Sequence, residues 1–206
     1  MATPIKIAFA EDMPRYRRAL IEGLKEFGVH CIGEAANGKE LLKLRNLQDA
    51  DVVLLDLEMP VMDGNETMEL LMGDWPDAKV LVLSLHSDVL LANHYLSRGA
   101  KGYLSKDSVS GNIPLLANAI TEIQTGHFYT DPSIQNSEIT FTTRQVEIIP
   151  LMCQDLTNKQ IAERLSITVR SVEKQRKRIY ERVGAKSITS FLKYALRRGF
   201  DFIGGK

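Results

Sequence analysis

Five short apolar runs, each broken by turn formers and each followed by a segment of helical periodicity, constrain the fold of this chain more than any other feature. The runs lie near 5–10, 29–35, 51–56, 80–84 and 101–105, and the helical patterns near 14–27, 38–46, 64–73, 87–98 and 113–125. Strands that alternate with helices build a parallel sheet with helices laid over it. Val52-Val53-Leu54-Leu55 is apolar at every position, as a strand buried on both faces must be. Asn37-Gly38, Trp75-Pro76-Asp77 and Gly99-Ala100-Lys101-Gly102 supply the turns between elements. The expected fold is therefore α/β, a five-stranded parallel sheet of the flavodoxin-like kind covered on both faces.

In such sheets ligands bind at the carboxyl ends of the strands. The first run stops at Glu11-Asp12, the third at Asp56, the fourth at Ser84, and Gly102-Tyr103-Leu104 leads into Ser105-Lys106. Two acids, a central aspartate, a hydroxyl and a lysine at one sheet edge suit a phosphoryl group handled with Mg²⁺, an ion that takes oxygen ligands at roughly 2.0 to 2.1 Å. A lysine supplies point charge to phosphoryl oxygens. Taken singly, each residue also has a structural explanation. Glu11-Asp12 and Ser84 could cap helices, Lys106 could be a solvated loop charge, and Tyr103 a half-buried strand aromatic. Their occurrence together, in order, at successive strand ends favours a site.

The net charge is zero, but its distribution is not uniform. Residues 1–139 hold 12 Lys and Arg against 20 Asp and Glu, a net of −8, whereas residues 140–206 hold 14 against 6, a net of +8. An acidic edge fit for a cation is thus followed by the electrostatics of a nucleic-acid binder. A chain of 206 residues with 44% hydrophobic content suits two domains. Periodicity stops after Thr125-Gly126, so the expected division is residues 1–126, a linker over 127–139 and a second domain over 140–206. Met1-Ala2-Thr3-Pro4 leads straight into a strand, and no apolar run reaches spanning length, so a soluble, cytoplasmic protein without a membrane partner is expected. Cys31 and Cys153 fall in different expected domains, which argues for buried packing over a disulfide or zinc site.

Beyond the linker the patterns are helical only. Thr142-Thr143-Arg144-Gln145 and Thr157-Asn158-Lys159-Gln160 have the form of capping boxes. The second opens a short helix, Ser166-Ile167-Thr168 turns, and Thr168 can cap a longer helix to about Val183. This is the form of a helix-turn-helix, whose second helix enters the major groove. At about 100° per residue, Val172, Ile179 and Val183 share a narrow arc that must face the core. Arg170, Glu173, Lys174, Lys177 and Arg178 lie opposite, where cations supply phosphate affinity and polar groups read base edges.

Glu11-Asp12, Asp56 with Met59-Pro60 and Asp63-Gly64, Ser84, and Gly102-Tyr103-Leu104-Ser105-Lys106 resemble the receiver of bacterial two-component response regulators. Phe141 to Gln145, Leu156 to Ala162, Ser171 to Lys174, and Ile179 with Val183-Gly184 resemble the LuxR-type helix-turn-helix of the NarL/FixJ-like class. The resemblance implies that Asp56 accepts a phosphoryl group from a sensor histidine kinase. It implies that Mg²⁺ is held by Glu11, Asp12, Asp56 and the Glu58 carbonyl, and that Lys106 contacts the phosphoryl oxygens. Ser84 and Tyr103 would form the switch pair, with Tyr103 turning inward on phosphorylation. It adds Thr157, Asn158, Ser171 and Gln175 to the residues facing double-stranded DNA. It further implies a homodimer when the chain is phosphorylated or DNA-bound, with Ile188, Phe191, Leu192, Ala195 and Leu196 on the last helix and Gly199 as its stop.

Three positions depart from the family pattern. Gln175 stands where histidine is common, Glu173 stands where lysine is common, and Pro150 lies inside the first helix of the second domain, where a kink costing ~3 kcal/mol or more is expected. Glu58 and His86 vary among members beside the path of the attacking water. The expected activity is phosphorylation-controlled transcription regulation without turnover of an external substrate. Alternatives are DNA binding that ignores phosphorylation, with the receiver as a dimerisation scaffold, and an Mg²⁺-dependent aspartyl-nucleophile phosphatase. The latter usually needs a second aspartate where this chain has Glu58.

Overall fold

The computed structural model describes residues 3–135, 141–154 and 156–197. They fall into two compact units, one of the residues up to Ser87 with Arg98–Gln135, the other of Asp88–Ser97 with the residues that follow the first unit.

Branched and aromatic side chains at Ile5, Ile7 and Phe9 favour extended backbone, and β1 (Ile5–Ala10) forms there. It is followed by α1 (Pro14–Lys25), β2 (Val29–Ala35) and α2 (Gly38–Leu41). Then come β3 (Val52–Asp56), α3 (Gly64–Asp74), β4 (Val80–Ser84) and α4 (Val89–Ser97), the last of which belongs to the second unit. β5 (Gly102–Ser105), α5 (Lys106–Val109) and α6 (Ile113–Gln124) complete the alternation. The helix expected over 38–46 is shorter than its pattern: α2 ends at Leu41 and a 3₁₀ turn follows at Leu47–Asp49.

All pairings are parallel and the order is β2-β1-β3-β4-β5-β6. Among the described residues the sheet therefore has six strands where five were expected. The sixth, β6 (Tyr129–Thr130), lies in the segment read as linker, and α7 (Pro132–Gln135) follows it. Tyr129 N donates to Lys101 O at 3.0 Å and Asp131 N to Tyr103 O at 2.9 Å, which seats β6 on the outer edge of β5. Every residue of β3 and of β4 is buried, as strands covered on both faces require. On one face Phe9, Leu54, Leu81 and Leu83 pack with Leu20 and Leu24 of α1 and Leu116, Ile120 and Ile123 of α6. Each such side chain contributes about 1.5–3 kcal/mol when withdrawn from water.

The second unit holds α8 (Thr143–Cys153), α9 (Asn158–Arg164), α10 (Val169–Val183) and α11 (Ile188–Arg197). Both expected capping boxes are formed, Thr142 with Gln145 and Thr157 with Gln160. Pro150 does not end α8, which runs on for three residues to Cys153. Val172, Ile179 and Phe191 are fully buried, and the Phe191 ring lies 6.0 Å from that of Tyr180. Phe191, expected at a dimer contact, therefore belongs to the core of its own unit. Gly199 and the side chains of Ala195 and Leu196 lie outside the described residues.

Candidate functional site

Parallel register carries the strand ends to one edge. Ala10 pairs with Leu55, Asp56 with Leu83 and Ser84 with Ser105, so Glu11, Asp56, Ser84 and Lys106 emerge side by side. The loop after Asp56 is shaped by a tight turn in which Met62 N donates to Pro60 O at 2.8 Å across Val61, whose φ is +70°. A three-residue turn with positive φ at a β-branched residue is strained. It returns the chain so that Asp63 caps α3 through Glu66 N at 2.8 Å. Gly64 is required there, because a Cβ would lie 2.3 Å from Asp56 O.

Charge is concentrated within this edge. The side-chain oxygens of Glu11, Asp12 and Asp56 come within 4.8 Å of one another, with Glu11 and Asp56 buried and Asp12 half-buried. Lys106 Nζ lies 2.8 Å from both Glu11 Oε2 and Asp56 Oδ2. Met13 N donates to Glu11 Oε1 at 3.1 Å and Glu58 N to Asp56 Oδ1 at 3.2 Å, while Oε2 and Oδ2 meet the ammonium. Burial pushes the Asp56 and Glu11 carboxyls above their ordinary values, and Lys106 only partly opposes it. Burial alone would lower the Lys106 ammonium, but Asp56 and Glu11 outweigh it and raise it. Three carboxylates against one ammonium leave two negative charges unbalanced. A divalent cation taking oxygen ligands fits that deficit and those two oxygens.

The remaining side chains tie the loops together. Ser84 Oγ accepts from His86 N at 3.1 Å, and Tyr103 donates its hydroxyl to His86 O at 2.7 Å. Tyr103 is fully buried. The inward turn expected of it is thus already made, because the His86 carbonyl satisfies its hydroxyl inside. His86 Nε2 lies 3.1 Å from Glu58 Oε1, joining the loops after β4 and β3. Sequence reasoning missed Tyr16, whose ring centroid is 5.4 Å from Lys106 Nζ and whose buried hydroxyl has no hydrogen bond among the described residues. Burial, with Glu11, Asp56 and Asp107 nearby, pushes that phenol up to about 12. Arg17, also missed, donates to Glu11 O and pairs with Glu34 at 3.0 Å. The only signal for either was position, four and five residues beyond Asp12 on the first turn of α1.

On α10, Arg170, Glu173, Lys174, Lys177 and Arg178 are exposed and Ser171 is half-buried. Gln175 is not with them. Three residues after Val172 and four before Ile179, it shares their inner stripe, and its amide oxygen is buried. Thr157 is engaged in its capping box, and Asn158 Oδ1 accepts from Arg176 Nη1 at 2.6 Å, which ties α9 to α10.

Comparison with known proteins covers both units. Residues 7–117 match the family described as response regulator receiver domain, and residues 140–195 match bacterial regulatory proteins of the luxR family. The chain is 27% identical over 215 residues to the oxygen regulatory protein NreC of Staphylococcus carnosus, covering 94% of this chain and 98% of that one. It is 28% identical over 218 residues to the transcriptional regulatory protein LnrK of Bacillus subtilis, covering 95% and 98%. The crystal structure of ChrA, a response regulator in a heme-sensing two-component system, superposes with a TM-score of 0.53 at 26% identity, over 97% of this chain and 100% of that one.

Proposed function

The chain belongs to the response-regulator receiver family and carries a luxR-family regulatory domain behind the receiver, and from that premise we propose that it is a DNA-binding transcription regulator switched by phosphorylation of Asp56. The carrying observation is the Lys106 ammonium 2.8 Å from Asp56 in a pocket of three carboxylates. Asp56 is the nucleophile. One of its oxygens bonds to phosphorus as the phosphorus–nitrogen bond to a histidine of the sensor kinase breaks, and the imidazole leaves with that electron pair. Lys106 moves from ion pairing with the carboxylates to the phosphoryl oxygens, and Ser84 and Tyr103 relay the change through the His86 backbone, whose N–H and carbonyl they hold. Glu11, Asp12, Asp56 and the Glu58 carbonyl would hold Mg²⁺, which supplies charge neutralisation to the phosphoryl group.

No external substrate is turned over in this reading. The chain acts in the cytoplasm, where kinase and DNA meet, and pairs with a second copy when phosphorylated or DNA-bound. Among the described residues no helix is long and apolar enough to cross a membrane. Incubation with labelled acetyl phosphate and Mg²⁺ tests the assignment: the parent takes up hydroxylamine-sensitive label and Asp56→Asn takes up none. Equal, hydroxylamine-resistant label on both proteins would remove Asp56 from its role.

A further inference from the structure

Asp131 is a charged side chain only 1% exposed, in the segment that leads out of the first unit, and the phosphorylation chemistry does not use it. Its Oδ2 accepts from Ser105 N at 2.9 Å, and its Oδ1 accepts from Ser133 N at 2.8 Å and Ser133 Oγ at 2.6 Å. Its own N–H donates to Tyr103 O at 2.9 Å. Asp131 thus grips β5 on both sides of Leu104, at the backbone of the buried Tyr103 and of the residue directly before Lys106. Ser105 also caps α5, accepting from Asp107 N at 3.2 Å. Burial opposes the charge on Asp131, but the bonds from Ser133, Ser105 and Ser108 hold its carboxyl below the ordinary range, so it remains a carboxylate. A buried charge persists only where donors surround it, and a neutral turn former would close the same loop without that desolvation. β6 is two residues long, too short to hold itself to β5 by its ladder alone.

We propose that Asp131 is a positioning residue that latches the segment leading to the DNA-binding domain onto β5, the strand that ends directly before Lys106, making β6 an output arm of the phosphoacceptor site. This rests on the function proposed above. When Lys106 leaves the carboxylates for a phosphoryl group, any shift of the Ser105–Lys106 backbone is passed through the Asp131 carboxylate to Pro132–Gln135 and the chain beyond. Loss of the latch separates phosphorylation from response without touching the nucleophile.

The test uses full-length parent, Asp131→Ala and Asp131→Asn, phosphorylated with acetyl phosphate and Mg²⁺, on a DNA duplex enriched from a random pool by the phosphorylated parent. Both variants are expected to take label on Asp56 as the parent does and to bind DNA like the parent when unphosphorylated. Their gain in affinity on phosphorylation should shrink by about five-fold or more. Hydrogen exchange over 129–135 should change on phosphorylation of the parent and not of Asp131→Ala. A full gain retained in Asp131→Ala overturns the latch, as does an equal loss of affinity in both states, which is what a merely structural role gives. Should the variants fail to fold, unchanged exchange over 129–135 in the fully labelled parent overturns it by itself. A parent that takes no label defeats instead the function assigned to Asp56, and is read before any variant is made.

Discussion

Asp56 is held in an environment that suits chemistry better than folding. Its carboxyl, like that of Glu11, is raised by burial, so the folded chain keeps a proton to higher pH than the unfolded chain does. The stabilising contribution of such a group is fully present below its unfolded value and is lost as pH rises through the folded one. At pH 7 the metal-free carboxylates therefore count against stability, while the raised Lys106 ammonium, on the basic side, still contributes in full. Asp56→Asn, with Glu11 left to pair Lys106, should be more stable than the parent at pH 7 in chelator, by an amount on the order of 1 kcal/mol. The difference should shrink toward pH 4, and added Mg²⁺ should stabilise the parent more than the variant. Urea unfolding at the two pH values checks this, and a less stable variant at pH 7 in chelator would falsify it.

Elements were legible where a pattern repeats. The five longer strands, the capped starts of α8, α9 and α10, and the acids, hydroxyl and lysine at the strand ends could all be read from periodicity and punctuation. β6 could not, because two residues carry no period and its place is set by contacts distant in sequence, the open edge of β5 and the Asp131 carboxylate. Asp131 fell in the segment read as linker for the same reason, although its carboxylate reaches across to another strand. Gln175 was grouped with the DNA-facing residues because it is polar among polar neighbours, and only its spacing from Val172 and Ile179 points to the inner stripe where its amide oxygen is buried. That stripe has a measurable consequence for α10. Lys177→Ala should lower DNA affinity and, where the lysine meets phosphate, flatten the slope of log affinity against log salt by about one unit. Gln175→Ala should leave the slope where it was. Titrations at several salt concentrations separate the two, and a flattened slope in Gln175→Ala would place that side chain at the DNA after all.

At the scale of the whole molecule, a net of −8 is tethered to a net of +8. Charges on one chain partly cancel for a distant polyanion whenever the screening length is comparable to the span of a domain, about 30 Å at 0.01 M salt. Residues 140–206 alone should therefore bind non-specific duplex DNA more tightly than the full chain at low salt, and the advantage should vanish near 0.15 M, where the length is about 8 Å. Equal affinities at low salt would show that the acidic half exerts no field on the approach to DNA. β6 has a consequence of another kind. A strand with unpaired N–H and C=O groups is a template for any other strand that meets it, and chains protect themselves by covering such rims. Tyr129 and Thr130 pair with Gly102 and Tyr103 and so cover the outer rim of β5. A receiver cut at residue 126, where the helical pattern of the sequence stops, would bare that rim and invite self-association. A cut after Gln135 carries its own cover.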